Sequence, residues 1–324
     1  MKRFKNILLI CDEQTAFEPA LERATWLAKS NEARVMLLDV LDTGASDLAR
    51  LFTQLTGSQG EFMADEVRSI RTDRLEERAR PLRDHGIKVA TKLVSGTSFL
   101  EIIKLVIAEK HDLVLKGAQR STISPLFCGL DMHLMRQCPC PVWVLKSAFK
   151  PKSQRILVAV EPDPEDARRD DLNHTILQLA TSLARQDDAT LDVVHVWHLY
   201  EEATLRHSLA NAPAYRLDRL IKAQEAQSKA RLDALMADFT EFDDLMRVQH
   251  IKGLPGDVIP EFVAREGIDT VVVGTLASSG VAGLFIGNTA ETILNHVNAS
   301  VLTAKARGFI SPVTLAQKTK EKET

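Results

Sequence analysis

Chemistry in this chain centres on one small-residue segment. It runs Gly274-Thr-Leu-Ala277-Ser278-Ser279-Gly280-Val-Ala-Gly283-Leu-Phe-Ile-Gly287-Asn288-Thr289-Ala-Glu291, directly after the aliphatic run Thr270-Val-Val-Val273. Glycines let a main chain approach a ligand closely and aim successive N–H groups at it. A helix starting beyond Gly287 adds unpaired N–H groups and a positive dipole end, and both favour phosphate. Ser278, Ser279, Asn288 and Thr289 bring further donors. The same residues have a structural use. Asn288 with Glu291 three positions on forms a capping box, in which the helix satisfies its own amides, and the carboxylate repels an anion. No Gly-x-x-x-x-Gly-Lys-[Ser/Thr] element occurs, which argues against a Walker-type NTPase.

Other reactive residue types lead to structural readings. Cys138-Pro-Cys140, with Cys128 and His133 upstream, has a spacing poorly suited to zinc, and buried thiols are the better reading. In His195-Val-Trp-His198, His195 reads as a satisfied core histidine and His198 as exposed, with no serine or cysteine near them in the chain to form a nucleophile. The charges from Arg71 to Arg83 read as the solvated face of a helix that Pro81 ends or kinks. No catalytic residue and no resident metal site emerges.

The elements that position the glycine-rich segment occur twice. Lys5-Asn-Ile-Leu-Leu-Ile-Cys-Asp12 returns as Gln154-Arg-Ile-Leu-Val-Ala-Val-Glu161. The helical stretch Ala20–Ala28 and the run Ala33–Val40 match Ile176–Ala184 and Ala189–Val196. Asp112-Leu-Val-Leu-Lys-Gly117 matches Asp269-Thr-Val-Val-Val-Gly274, and Pro141-Val-Trp-Val-Leu-Lys146 matches Ser300-Val-Leu-Thr-Ala-Lys305. Four landmarks in one order indicate a duplication. Short aliphatic runs alternating with helical periods fit strands buried on both faces of a parallel sheet. The fold class is therefore α/β: two tandem doubly wound parallel-sheet domains.

The expected boundaries are residues 1–149 and 154–310, joined by the polar linker Phe149-Lys-Pro-Lys-Ser153, with a flexible polar tail over 311–324. Helical inserts follow the second strand of each copy. Their apolar stripes are Leu48, Leu51, Phe52, Leu55, Val67 and Ile70 in the first, and Leu217, Leu220, Ile221, Leu232, Leu235 and Met236 in the second.

The duplicated unit resembles the universal stress protein domain, and the chain as a whole resembles the family's tandem E type. Nucleotide-binding members carry Gly-x-x-Gly, nine residues, then Gly-[Ser/Thr], after the fourth strand. Here Gly274-Thr-Leu-Ala277, nine residues and Gly287-Asn288 keep that spacing, with Ala277 and Asn288 departing in residue type. The resemblance implies an adenine nucleotide-binding fold and ATP, with magnesium as a companion ion. It implies phosphates on Gly274, Ala277, Ser278, Gly287, Asn288 and Thr289. It further implies an acid ending the first strand, here Glu161, and a main-chain contact to adenine after the second, here Val196.

The first copy departs further. Arg120 stands at the second glycine position, Gly129 arrives one residue early, and Leu130-Asp131 replace the hydroxyl residue. An apolar bulk and an acid at a helix start oppose an anion, so this half reads as a scaffold or partner-binding domain despite keeping Asp12 and Val40. The resemblance also implies survival under stress, including DNA damage, with binding rather than catalysis as the activity. The alternative reading is a nucleotide-free tandem module that holds an apolar ligand or a partner protein between its insert helices. Single-domain relatives pair through their last strand, so Val142–Leu145 and Val301–Ala304 are expected to form a pseudo-dimer within one chain, as a monomer or a further homodimer.

Composition limits the rest. The 324 residues suit two domains, with 45% apolar and 26% charged side chains. The 41 basic and 44 acidic residues leave a net charge of −3, and no direct nucleic-acid binding is expected. No apolar run approaches the roughly 18 residues of a membrane span. The opening apolar stretch is short for a signal peptide, and four cysteines do not make a disulfide framework. The cytoplasm is the expected compartment.

Overall fold

The computed structural model describes residues 3–12, 15–42, 58–118, 129–146, 150–199, 202, 204–205, 215–275 and 288–314. The first half contains β1 (Asn6–Ile10), α1 (Phe17–Asn31), β2 (Arg34–Asp42), α2 (Ser58–Asp84) and β3 (Val89–Gly96). It continues through α3 (Ser98–Glu109), β4 (Leu113–Gly117), α4 (Leu130–Gln137) and β5 (Val142–Leu145). The second half repeats the series as β6 (Arg155–Ala159), α5 (Ala167–Asp187), β7 (Thr190–Trp197), α6 (Tyr215–Met236) and β8 (Met246–Lys252). It closes with α7 (Pro255–Glu266), β9 (Thr270–Thr275), α8 (Asn288–His296) and β10 (Ser300–Lys305).

One sheet holds these strands in the order β3-β2-β1-β4-β5-β10-β9-β6-β7-β8. Neighbours within each half are parallel. The halves join by the antiparallel pair β5–β10, with Val144 opposite Val301 and Trp143 opposite Leu302. This is the expected intramolecular pseudo-dimer. Helices α1, α2, α5 and α6 cover one face, and α3, α4, α7 and α8 the other. Each apolar layer contains residues of both halves, so the core runs across the seam rather than stopping at it. The aliphatic runs are explained by this double covering: all of Leu113, Val114 and Leu115 are buried, and each such side chain contributes about 1.5–3 kcal/mol.

The repeated Asp112 and Asp269 have a structural task. The carboxylate of Asp112 accepts from the main-chain N–H groups of Lys5 and Asn6 at 2.7 and 3.0 Å. That of Asp269 accepts from Gln154 and Arg155 at 2.6 and 3.2 Å. Each acid therefore starts the first strand of its own half from the strand beside it. Asp166 caps α5 by accepting from the N–H groups of Arg168 and Arg169.

Several expectations change. Pro81 lies inside α2, which continues to Asp84 rather than ending at the proline. Arg71 is not solvated but bonds Asp39 of β2 at 3.0 Å. Ile70 and Leu220, placed on apolar stripes, face water. Ser311 and Val313, expected in the flexible tail, are buried, and Val313 joins the core layer of α3, α4, α7 and α8. Leu48, Leu51, Phe52 and Leu55 lie outside the described residues. No helix among the described residues is long and apolar enough to cross a membrane.

Candidate functional site

In each half the strand order reverses between the first strand and its two neighbours, which opens a crevice beyond their carboxyl ends. The two crevices are furnished differently.

In the first half the protein's own charges fill the place. Lys116, the penultimate residue of β4, is wholly buried and donates to the Gly117 carbonyl at 3.1 Å. Its ammonium lies 2.7 Å from Asp131 in the first turn of α4 and 3.8 Å from Asp12. Asp131 is itself buried. A carboxylate at a helix start, neutralised by a buried lysine, occupies the electrostatic position that a phosphate would need. Gly117 serves the passing main chain: a Cβ there would stand 2.0 Å from the Ala16 carbonyl oxygen. Among the described residues, this buried pair places a negative charge at the start of α4, where an anion would meet it.

In the second half, neither member of that pair is present. Val273 takes the register of Lys116 on β9, and Thr289 takes the place of Asp131 on α8. Gly274 lies inside β9, opposite Ala304 of β10. A Cβ there would come within 2.5 Å of Leu172 of α5, so this glycine has a packing reason of its own. Asn288 and Thr289 open α8. Glu291 does not act as a capping-box carboxylate alone, because Arg136 of α4 donates to its Oε1 across the seam. That pairing offsets the negative charge in the first turn of α8. Ala277, Ser278, Ser279 and Gly287 lie outside the described residues.

Glu161 follows β6 by two residues. Asn173 of α5 clamps its main chain, with Glu161 N–H donating to Asn173 Oδ1 at 3.0 Å and Asn173 Nδ2 donating back at 2.8 Å. Asn173 escaped the sequence reading, although a polar residue in the apolar stripe between Leu172 and Ile176 was its signal. The Glu161 carboxylate accepts from Arg169 at 2.7 Å. Desolvation raises this carboxyl above its ordinary value and Arg169 opposes the rise. With the side chain 70% exposed, water screens both effects. A carboxylate already holding a guanidinium is a poor magnesium ligand. Val196 lies within β7 rather than after it, opposite Ile251 of β8, and its side chain is buried.

His195 is buried, as expected, but has a serine partner that sequence distance concealed. Its Nδ1 meets the Val160 carbonyl at 3.0 Å, and that acceptor places the proton on Nδ1. Nε2 therefore accepts from the Ser228 hydroxyl of α6 at 2.9 Å, which leaves His250 Nε2 of β8 to donate to Ser228 at 2.9 Å. Ser228 is buried in mid-helix, so the chain latches α6 onto the sheet rather than exposing a nucleophile. Desolvation pushes both His195 and His250 below their ordinary value. His198 is half-buried rather than exposed, and Cys128 lies outside the described residues. His133 stacks on Phe99 with ring centroids 4.5 Å apart.

Two doubly wound α/β units, sharing one sheet through their last strands, define a tandem α/β protein, and among the described residues the Lys116–Asp131 pair of the first half has no counterpart in the second. The profile of the universal stress protein family matches residues 3–146 and again 152–305, and the chain belongs to that family. It is a tandem member similar to universal stress protein E. The Salmonella typhi protein of that name is 30% identical over 319 residues, covering 97% of this chain and 98% of its own. That of Photorhabdus laumondii is 29% identical over 321 residues, covering 98% and 100%. Among solved structures, a protein of unknown function from Pseudomonas aeruginosa PAO1 shares the fold with a TM-score of 0.73 at 23% identity, covering 98% of each chain. Family membership gives the coarse function, a stress-response role.

Proposed function

We propose that this chain is a cytoplasmic stress protein whose C-terminal half binds an adenine nucleotide, ATP foremost, as a regulatory ligand, while its N-terminal half is a closed scaffold. The observation that carries the reading is the asymmetry of the two crevices. Lys116 and Asp131 supply an internal ion pair to the first, and Val273 and Thr289 replace both in the second. Main-chain amides at the start of α8, with Ala277, Ser278, Gly287, Asn288 and Thr289 around them, hold the phosphates. Val196 and Glu161 border the nucleoside end. Magnesium, if it accompanies the nucleotide, takes its ligands from phosphate and water, since Glu161 is engaged by Arg169.

Binding, not turnover, is the activity. Occupancy biases the chain's contacts with a protein partner and so supports survival under stress, DNA damage included. Native mass spectrometry of the purified full chain tests this. Retained adenine nucleotide that disappears on Gly287→Trp agrees with the reading. An empty chain that stays empty after incubation with ATP, or one occupied by an apolar ligand, favours the nucleotide-free module instead.

A further inference from the structure

On the seam between the halves lies a feature that nucleotide binding does not use. Cys138 caps the C-terminus of α4, its N–H donating to the Leu134 carbonyl at 2.9 Å. Cys140 follows after Pro139, and the two Sγ atoms stand 3.6 Å apart. Cys138 is buried in the core layer and Cys140 is partly exposed. From the other half, the ammonium of Lys305 on β10 reaches the same helix end and donates to the Met135 and Arg136 carbonyls at 2.7 and 2.9 Å.

We propose that Cys138 and Cys140 form a dithiol site that hydroperoxides oxidise to a Cys138–Cys140 disulfide. Two residues apart, their α-carbons lie within about 7 Å of each other. The sulfurs need to close by about 1.5 Å to reach bonding distance. Burial opposes ionisation of Cys138, but the Cys140 thiol, the Cys140 main chain and the Lys305 charge outweigh it and hold Cys138 below the ordinary thiol value. The hydrogen bond to Cys138 and burial push Cys140 up, so Cys138 is the more readily ionised of the two. Cys11 is the contrast: burial drives its thiol up to about 12, which leaves it inert.

The step balances without help from the protein. Cys138, the more readily ionised thiol, gives its proton to water and its sulfur attacks a peroxide that enters beside the partly exposed Cys140, forming S–O and breaking O–O. The leaving alkoxide takes that proton back, giving an alcohol. Cys140 then attacks the Cys138 sulfenic acid, forming S–S and breaking S–O, and the departing hydroxide leaves as water with the Cys140 proton. Two thiols lose two electrons and two protons, and the hydroperoxide is reduced to alcohol and water.

The test uses the full chain and a few equivalents of hydrogen peroxide at neutral pH, followed by alkylation and trypsin. Cleavage after Arg136 and Lys146 releases residues 137–146, which carry Cys138 and Cys140 and neither other cysteine. The expected product is that peptide, unalkylated and two mass units lighter. Lys305→Met slows its appearance about tenfold, and Cys128→Ser leaves the rate unchanged. Recovery of residues 137–146 doubly alkylated after treatment would overturn the proposal, as would oxygen addition without the two-unit loss. Persistence of a two-unit loss in intact Cys140→Ser would place the disulfide elsewhere and overturn it equally.

Discussion

Arg23 of α1 and Asp187 of α5 meet at 2.8 Å with both side chains wholly withdrawn from water, and they belong to opposite halves of the chain. Trp26 Nε1 donates to the same carboxylate at 3.0 Å, and the main-chain N–H of Ser153 donates at 2.9 Å. The Arg23 guanidinium lies over the Trp143 ring at 4.4 Å and donates to the Pro151 carbonyl at 2.8 Å. One buried pair thus gathers two helices, the seam strand β5 and the linker.

Removing one partner of such a pair leaves the other charge buried without compensation. Asp187→Asn and Arg23→Met are each expected to destabilise the chain by about 3–5 kcal/mol, whereas Arg23→Met combined with Asp187→Leu costs less than the sum. Chemical denaturation of the three variants measures this. Single variants within about 0.5 kcal/mol of the parent would show that the pair does not tie the halves.

The two repeated glycines should respond unequally. Gly117→Ala pushes a methyl group into the Ala16 carbonyl, a main-chain atom that cannot move alone. Gly274→Ala meets the Cγ and methyl carbons of the buried Leu172, a side chain that must repack but is not main chain. The expected cost is about 3 kcal/mol or more for the first and nearer 1 kcal/mol for the second. Melting temperatures that fall equally contradict this account.

Asp131→Asn removes the nearer countercharge of the buried Lys116 and leaves Asp12 at 3.8 Å. Stability should fall by about 3–5 kcal/mol, while nucleotide affinity in the second half stays within twofold of the parent. Isothermal titration on the folded variant checks the second part. A large loss of affinity would place the ligand in the wrong half for this account.

The histidine latch sets a pH dependence. His195 is held below its ordinary value of 6.5 by desolvation, with the Val160 carbonyl pulling the other way. The unfolded chain therefore takes the proton first as pH falls below 6.5, and stability drops from there down to the folded value. His174 is the opposite case. Burial disfavours its charged form, but Asp238 and the Asp170 carbonyl outweigh that and raise it. Its contribution is complete below 6.5 and lost as pH rises through the folded value. Proton NMR titration should find His195 changing state below 6.5 and His174 above it. The reverse order contradicts the hydrogen bonding described.

Duplication made the fold legible. Aliphatic runs recurring in one order identify strands, and burial on both faces leaves them no polar side to vary. The pairing of Val142–Leu145 with Val301–Ala304 came from the resemblance, since single-domain relatives pair through their last strand, and the apolar run ending each copy located the strands. What escaped are contacts that join residues far apart in the chain. Arg23 and Asp187 are separated by 164 positions, and His195 and Ser228 by 33, with no local pattern to connect them. Asp131 was legible as an obstacle to anions, but no local pattern tied it to Lys116 of β4, 15 positions earlier. Gly274 of β9 read as ligand-facing, and the packing of Leu172 against it, a second reason for glycine there, had no local signal.

The stoichiometry of ATP binding tests the division of labour between the halves most directly. Equilibrium titration of the full chain should saturate at one nucleotide per polypeptide, and Gly287→Trp should abolish that signal while the far-ultraviolet spectrum stays unchanged. Two nucleotides per chain, none, or binding that survives Gly287→Trp would contradict a single anion crevice in the C-terminal half.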